Sequence, residues 1–240
     1  MVSRYRVVDH VVGVLAARGV SHFFGVDGAN IEDLYDAAHF CDGITAVLAK
    51  HEFSAATMAD GFSRATADLG VVAATSGGGS LNLVAGLGES FASGVPVLAL
   101  IGQPPTSLDG RGSFQDTSGA GGSLDALALF STVSVYCRRV LTPAEVLTAL
   151  PEAIAAARTG GPAVLLLPKD IQQGTLDVET FGDDSLERTA RAGDPEPILD
   201  ELRCALGPVT IIAGDQVARD DARMAHDTAD PERRRCAKAG

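Results

Sequence analysis

The feature that most constrains this chain is a series of short, almost unbroken apolar stretches alternating with helical patterns. Gly-Val-Val-Ala-Ala at 70–74, the Val/Leu/Ile-rich segment at 96–101 and Ala-Val-Leu-Leu-Leu at 163–167 lack the polar–apolar alternation of a half-solvated strand. Strands of that kind are buried on both faces, as in a parallel sheet covered by helices on either side. Residues 5–18 read as a helix with Val7, Val11, Val12, Leu15 and Ala16 on one face. Residues 22–26 read as a strand, 27–30 as a turn before a helix carrying Ile31, Leu34 and Tyr35, and 44–48 as the next strand. Glu52 opens a helix, 81–91 forms another, and 143–158 a third with Pro143 in its first turn. Residues 131–136 are expected as a further strand. The expected fold class is α/β, a doubly wound parallel sheet with helices on both faces. Right-handed crossovers place the loops that follow the strands on one edge, where ligands bind. Glu52, the glycine-rich turn at 75–80 and the loop at 103–122 are the candidates for that edge.

Composition narrows the function classes. A net charge of −12 argues against nucleic acid or an anionic membrane as partner. Cys41, Cys137, Cys204 and Cys236 lie far apart without a Cys-x-x-Cys pair, so neither a zinc site nor a disulfide framework is expected, and a reducing cytoplasm is. The N-terminal apolar stretch is interrupted by Asp9 and His10 and closed by Arg18, which reads as an amphipathic helix rather than a leader. No apolar run approaches the roughly 20 residues of a membrane span. After Asp170 the composition turns polar and acidic. The expected organisation is one domain over 1–172, a linker over 173–195, a partial α/β unit over 196–219 (helix 196–205, strand 207–214), and a polar tail over 220–240.

Two segments carry chemistry. Between Lys50 and Arg64 a carboxylate opens a helix on which Ala55, Ala56, Met58, Ala59 and Phe62 recur at helical spacing and read as a buried face. Glu52 thereby stands at a buried mouth, where an unpaired acid is costly. Taken alone it also fits an ordinary first-turn acid facing the helix dipole. Thr75-Ser-Gly-Gly-Gly-Ser80 is a strand-to-helix turn that suits a phosphate or merely lets backbones approach. It is neither a P-loop nor a Gly-x-Gly-x-x-Gly fingerprint, which weakens a stand-alone nucleotide-binding domain.

In order and spacing, these segments resemble thiamine-diphosphate enzymes of the acetolactate synthase family. Lys-His-Glu-Phe-Ser-Ala-Ala-Thr-Met-Ala-Asp-Gly-Phe-Ser-Arg is similar to that family's His-Glu-x-x-Ala-x-x-Met-Ala-Asp-Gly-x-x-Arg. Ala-Thr-Ser-Gly-Gly-Gly-Ser-Leu-Asn-Leu is similar to its Ala-Thr-Ser-Gly-Pro-Gly-x-x-Asn-Leu. Ile101-Gly-Gln-Pro-Pro-Thr-Ser107 and Phe114-Gln-Asp116 resemble its Thr-Gly-Gln-x-Pro-Thr and Phe-Gln-Glu segments, and Gly161 to Asp170 resembles the strand that closes its pyrimidine-binding domain. The matches run over 2–170, and 196–214 resembles the opening of a middle domain. The resemblance implies that Glu52 is catalytic, hydrogen-bonding the cofactor's aminopyrimidine and switching it on. It puts Gly28, Thr75 and Asn82 against that ring. It implies that Gln115 approaches cofactor and substrate, although a loop amide bound to nearby backbone is equally consistent. Lys169 reads as structural.

Three departures matter. Gly78 replaces the usual Pro and should loosen its loop. Asp27 stands where the turn normally has Pro, adding a carboxylate at the cofactor edge that serves proton transfer or caps the helix beginning near Asn30. The family holds the diphosphate through Mg²⁺ with a Gly-Asp-Gly segment and a later Asn pair; Gly214-Asp215-Gln216 lacks the second glycine and no Asn follows it. No residue of this chain is therefore expected to ligate the metal. The resemblance thus implies the pyrimidine-domain subunit of a split thiamine-diphosphate-dependent 2-oxo acid decarboxylase or carboligase, with no flavin. A separate chain would supply the diphosphate and Mg²⁺ site in a hetero-oligomer built on a dimer. A non-catalytic regulatory or scaffold subunit, or a truncated fragment of a full-length enzyme, stands as the alternative.

Overall fold

The computed structural model describes residues 3–178 and 196–210. The chain divides into two compact units, Met1–Ser185 and Leu186–Gly240. The first unit begins β1(Ser3–Arg6), α1(Val7–Ala17), β2(His22–Val26), α2(Glu32–His39), β3(Thr45–Leu48), α3(Glu52–Thr66), β4(Gly70–Ala74). It continues α4(Gly78–Leu81), α5(Val84–Ala92), β5(Val97–Gln103), α6(Ala126–Ser131), β6(Tyr136–Arg139), α7(Val146–Arg158), β7(Pro162–Pro168), α8(Lys169–Gln172), β8(Thr175–Val178). Six strands form one sheet in the order β3-β2-β4-β5-β7-β6, and every neighbouring pair is parallel.

The apolar runs are unbroken because both faces of the sheet are covered. Val71, Ala73, Leu98, Leu100, Ala163, Leu165 and Leu167 face one core with Val7, Val11, Leu15 and Leu34 of α1 and α2 and Leu150 and Ile154 of α7. Their alternates Val72, Ala74, Val97, Ala99, Ile101, Val164 and Leu166 face a second core with Ala55, Ala56 and Ala59 of α3, Leu87 of α5 and Phe130 of α6. Successive side chains leave a strand on opposite faces, so a residue period of two divides each central strand between two apolar layers. The doubly wound α/β architecture expected from the sequence is the one observed.

Several local expectations change. Residues 3–6 are not helical; they pair antiparallel with β8, Ser3 opposite Val178 and Arg6 opposite Thr175. Helix α1 starts only at Val7, where the Asp9 carboxylate accepts from the Arg6 backbone N–H at 3.1 Å in a capping box. Strand β8 lies inside the segment expected to be linker, since its ladder partner sits at the far end of the chain. The rest of that segment, 179–195, is outside the described residues. Residues 131–136 do not form a strand. Asp125 caps helix α6 by accepting from the Ala128 N–H at 2.9 Å, and the strand begins only at Tyr136. β6 is an outer strand, so it carries Arg138 and Arg139 rather than an apolar run. The helix expected at 143–158 opens with a 3-10 turn, Pro143–Glu145, ahead of α7.

The face of α3 also differs. Ala55, Ala56 and Ala59 are fully buried, but Met58 is 42% exposed and Phe62 half-buried. Asp60 takes a buried place instead, its carboxylate satisfied by Ser90 Oγ at 2.8 Å and Arg64 Nε at 2.6 Å. Paired in this way, a charge can be buried, and it fastens α3 to α5.

In the second unit α9(Glu196–Cys204) is a helix, as expected, with Arg203 bonded to Asp200 at 2.8 Å. Residues 207–210 form no strand, and no neighbouring strand among the described residues offers them ladder bonds. The remainder of the expected strand and the expected tail at 220–240 lie outside the described residues. Among the described residues no helix is long and apolar enough to cross a membrane.

Candidate active site

Because all six strands of the main sheet run the same way, the loops after β2, β3, β4, β5 and β7 emerge on one edge. Glu52 is the first residue of α3, directly after the N-cap His51, whose Nδ1 accepts from the Phe53 N–H at 3.1 Å. A helix N-terminus favours a negative side chain. Glu52 is half-buried rather than fully enclosed. Asn82 Nδ2 donates to its Oε2 at 2.9 Å.

The helix expected at 81–91 is broken, α4 ending at Leu81 and α5 starting at Val84, with Asn82 as the C-cap of α4. That break turns the Asn82 side chain toward Glu52. The second oxygen of Glu52, Oε1, faces the glycine turn. A β-carbon on Gly79 would lie 3.1 Å from it and 2.8 Å from the Thr75 methyl. A β-carbon on Gly28 would likewise stand 2.8 Å from the same methyl. Gly28, Thr75, Gly79, Glu52 and Asn82 are thus joined by consecutive contacts across three loops.

Gln115 joins through the same turn. Gly77 has φ +64 and packs against it, a β-carbon there meeting the Gln115 Cβ at 2.7 Å. Gln115 itself is held at φ +60, a left-handed conformation unusual for a non-glycine residue. Such strain persists only where surrounding structure enforces it. The loop is pinned by Arg139, which donates twice to Asp109 at 2.8 Å, and by Asp170, which accepts from the Thr106 N–H and hydroxyl at 3.0 and 2.6 Å. Asp116 is partly desolvated, which opposes its charge, but N–H groups of Ser118 and Gly110 at 2.9 Å prevail and hold its carboxyl below the ordinary range. Phe114, beside the strained Gln115, is 78% exposed.

Asp27 is exposed at the same edge, its Oδ1 accepting from the Gly28 N–H at 2.7 Å. It does not cap the following helix: α2 begins at Glu32 after Ile31, with no side-chain cap bond. Lys169 donates to the Ala29 carbonyl at 2.7 Å and pairs with Glu32, a structural tie.

Sequence reasoning missed Asn30. It is buried, its N–H donates to Thr75 Oγ1 at 3.2 Å and its amide to Ser76 Oγ at 2.7 Å, so it holds the β2 and β4 loops together. Gln172 donates to its carbonyl at 2.7 Å. Gln103, fully buried at the end of β5, accepts from Thr117 at 3.1 Å, while its Nε2 has no partner among the described residues. For Gln103 the available signal was a polar residue ending an otherwise apolar strand. Among the described residues no cluster of three His, Cys, Asp or Glu is placed to hold a metal ion.

Comparison with known proteins follows the same outline. Residues 5–123 match the family described as thiamine pyrophosphate enzyme, N-terminal TPP binding domain. The chain is 38% identical over 175 residues to the probable acetolactate synthase large subunit of Methanocaldococcus jannaschii, covering 72% of this chain and 28% of that protein. It is 32% identical over 213 residues to the acetolactate synthase large subunit of Lactococcus lactis, covering 85% and 36%. To the acetolactate synthase isozyme 3 large subunit of Escherichia coli it is 33% identical over 215 residues, covering 86% and 36%. The chain thus spans about a third of the length of the curated relatives it matches.

Proposed function

Residues 5–123 place this chain in the thiamine pyrophosphate enzyme family, as its N-terminal TPP-binding domain, and from that premise we propose that it supplies the pyrimidine half of a thiamine-diphosphate site acting on a 2-oxo acid. The observation that carries the reading is Glu52 at the N-terminus of α3, one oxygen fixed by Asn82 and the other facing the glycine turn. The fit to the aminopyrimidine is local: glycines at 28 and 79 leave room where a β-carbon would press on Thr75, and Oε1 of Glu52 has no donor among the described residues.

In this reading the Oε1 side of Glu52 would meet the ring nitrogen, while Asn82 fixes the carboxylate plane. Thr75 and Gly28 would line the ring, and Gln115, packed on the Gly77 turn, would supply its amide to the substrate. Asp27 provides a second carboxylate at the open side. Thiamine diphosphate, when bound, supplies the electron sink for decarboxylation or carbon–carbon joining. The diphosphate and its Mg²⁺ are held by a separate chain carrying a diphosphate-binding domain, in a hetero-oligomer built on a dimer. A cytoplasmic setting belongs to the same reading, the four cysteines standing far apart in the sequence with no Cys-x-x-Cys pair.

The test is turnover of a 2-oxo acid by this chain with its diphosphate-domain partner, comparing wild type with Glu52→Gln. An amide cannot exchange the required proton, so turnover should vanish while the circular dichroism spectrum stays unchanged. Full turnover by Glu52→Gln would remove Glu52 from the mechanism.

A further inference from the structure

Gln103 is the last residue of β5, one of the two central strands of the sheet, and the residues before it in that strand are all apolar and buried. It closes the ladder opposite Pro168 of β7. Its side chain is fully buried, yet Nε2 has no partner among the described residues. A buried donor left without a partner is unfavourable, and an apolar side chain of similar size would avoid that penalty. What the amide gains is a single bond. Its Oε1 accepts from the Thr117 hydroxyl at 3.1 Å, and Thr117 is itself only 3% exposed.

Thr117 lies two residues beyond Gln115, whose φ of +60 is left-handed. On one side Gln115 packs against the Gly77 turn, where a β-carbon would stand 2.7 Å from its Cβ. Beyond it the chain is caught twice at Thr117, the hydroxyl by Gln103 and the carbonyl by the Ala126 N–H at 3.0 Å. Arg139 and Asp170 pin the loop earlier, at Asp109 and Thr106. The bonds of Asp116 to Gly110 and Ser118 stay within the loop. The Gln103–Thr117 bond therefore ties the strained segment to the rigid end of a central strand.

We propose that Gln103 is a positioning residue: by holding Thr117 it keeps Gln115 in its left-handed conformation and so sets where the Gln115 amide stands. The proposal rests on the functional reading above, in which that amide serves the substrate. Strained backbone persists only where its surroundings enforce it, and a bond from a buried side chain on a central strand is such an enforcement. The same role accounts for a buried amide with one unmet donor at the end of an apolar strand.

Gln103→Met and Thr117→Val remove the bond from either end at nearly constant size, whereas Thr117→Ser keeps the hydroxyl. In the full chain alone, trypsin cleavage after the exposed Arg111, read by mass spectrometry, should quicken severalfold in Gln103→Met and in Thr117→Val. The double variant should be cleaved no faster than either single one, because one shared bond is lost in all three, and Thr117→Ser should match wild type. The double variant leaves neither polar group behind, so its urea midpoint should equal or exceed that of wild type; its faster cleavage then reports the loop and not the fold. With the partner chain and thiamine diphosphate, KM for the 2-oxo acid should rise severalfold in the same three variants and not in Thr117→Ser, with cofactor affinity unchanged. Unaltered cleavage after Arg111, effects that add in the double variant, or an unaltered KM overturns the proposal. If wild type turns over no 2-oxo acid with its partner, the functional reading fails and the positioning role with it, while cleavage still decides whether Gln103 holds the loop.

Discussion

Asn82 and Gln115 show how single side chains serve the site at little benefit to the fold. Asn82 is exposed, and its bond to Glu52 fixes one carboxylate oxygen. The exposed bond adds little to the fold but holds the carboxylate in place, so Asn82→Ala should reduce turnover by roughly tenfold or more with an unchanged melting temperature. Steady-state kinetics beside a thermal melt would check both halves. Gln115 pays for its placement in backbone strain, of order 1–3 kcal/mol for a left-handed non-glycine residue. Gln115→Gly should relieve the strain, leaving stability equal or higher, yet turnover should fall because the amide is gone. A variant that is both less stable and fully active would contradict that assignment. Glu52 was legible in the sequence because its neighbours at 51–64 form a continuous motif. Asn30 was not, since its meaning lies in a partner 45 residues away that only the fold brings to it.

At the scale of elements, the glycine turn is the informative piece. Gly78 is the first residue of α4 and a β-carbon there meets nothing within 4 Å, so open space surrounds it. Proline is favoured at a first helical position, and Gly77 with φ +64 and ψ −131 tolerates a following proline as a chiral residue would not. Gly78→Pro should raise stability by about 0.4–1 kcal/mol through the unfolded state, read from urea midpoints. Gly79→Ala should do the reverse, costing about 1–3 kcal/mol by overpacking against Thr75 and Glu52.

The loop at 104–122 has its own signature. Its Asp116 carboxyl is held below the ordinary value, so its contribution to stability is present above the ordinary aspartate range and is lost as pH falls through the lower folded value. Proteolysis or amide exchange of that loop should accelerate below about pH 4 and not between pH 5 and 8. The buried central strands were legible from their apolar runs. β6 was misplaced because an outer strand carries arginines, and the β1–β8 pairing escaped because its partners lie at opposite ends of the unit. The break between α4 and α5 has no proline to announce it.

Across the whole molecule, the sheet edge offers an acid, an amide and a glycine cradle, while nothing among the described residues clusters to hold a metal. In the division of labour proposed above, this chain grips the pyrimidine and a partner grips the diphosphate. Isothermal titration of thiamine diphosphate and Mg²⁺ into this chain, alone and mixed with a chain carrying the diphosphate-binding domain, tests it most directly. The account predicts binding only in the mixture, with binding or 2-oxo acid turnover lost in Glu52→Gln. Tight magnesium-dependent binding by this chain alone, or no binding under either condition, would contradict it.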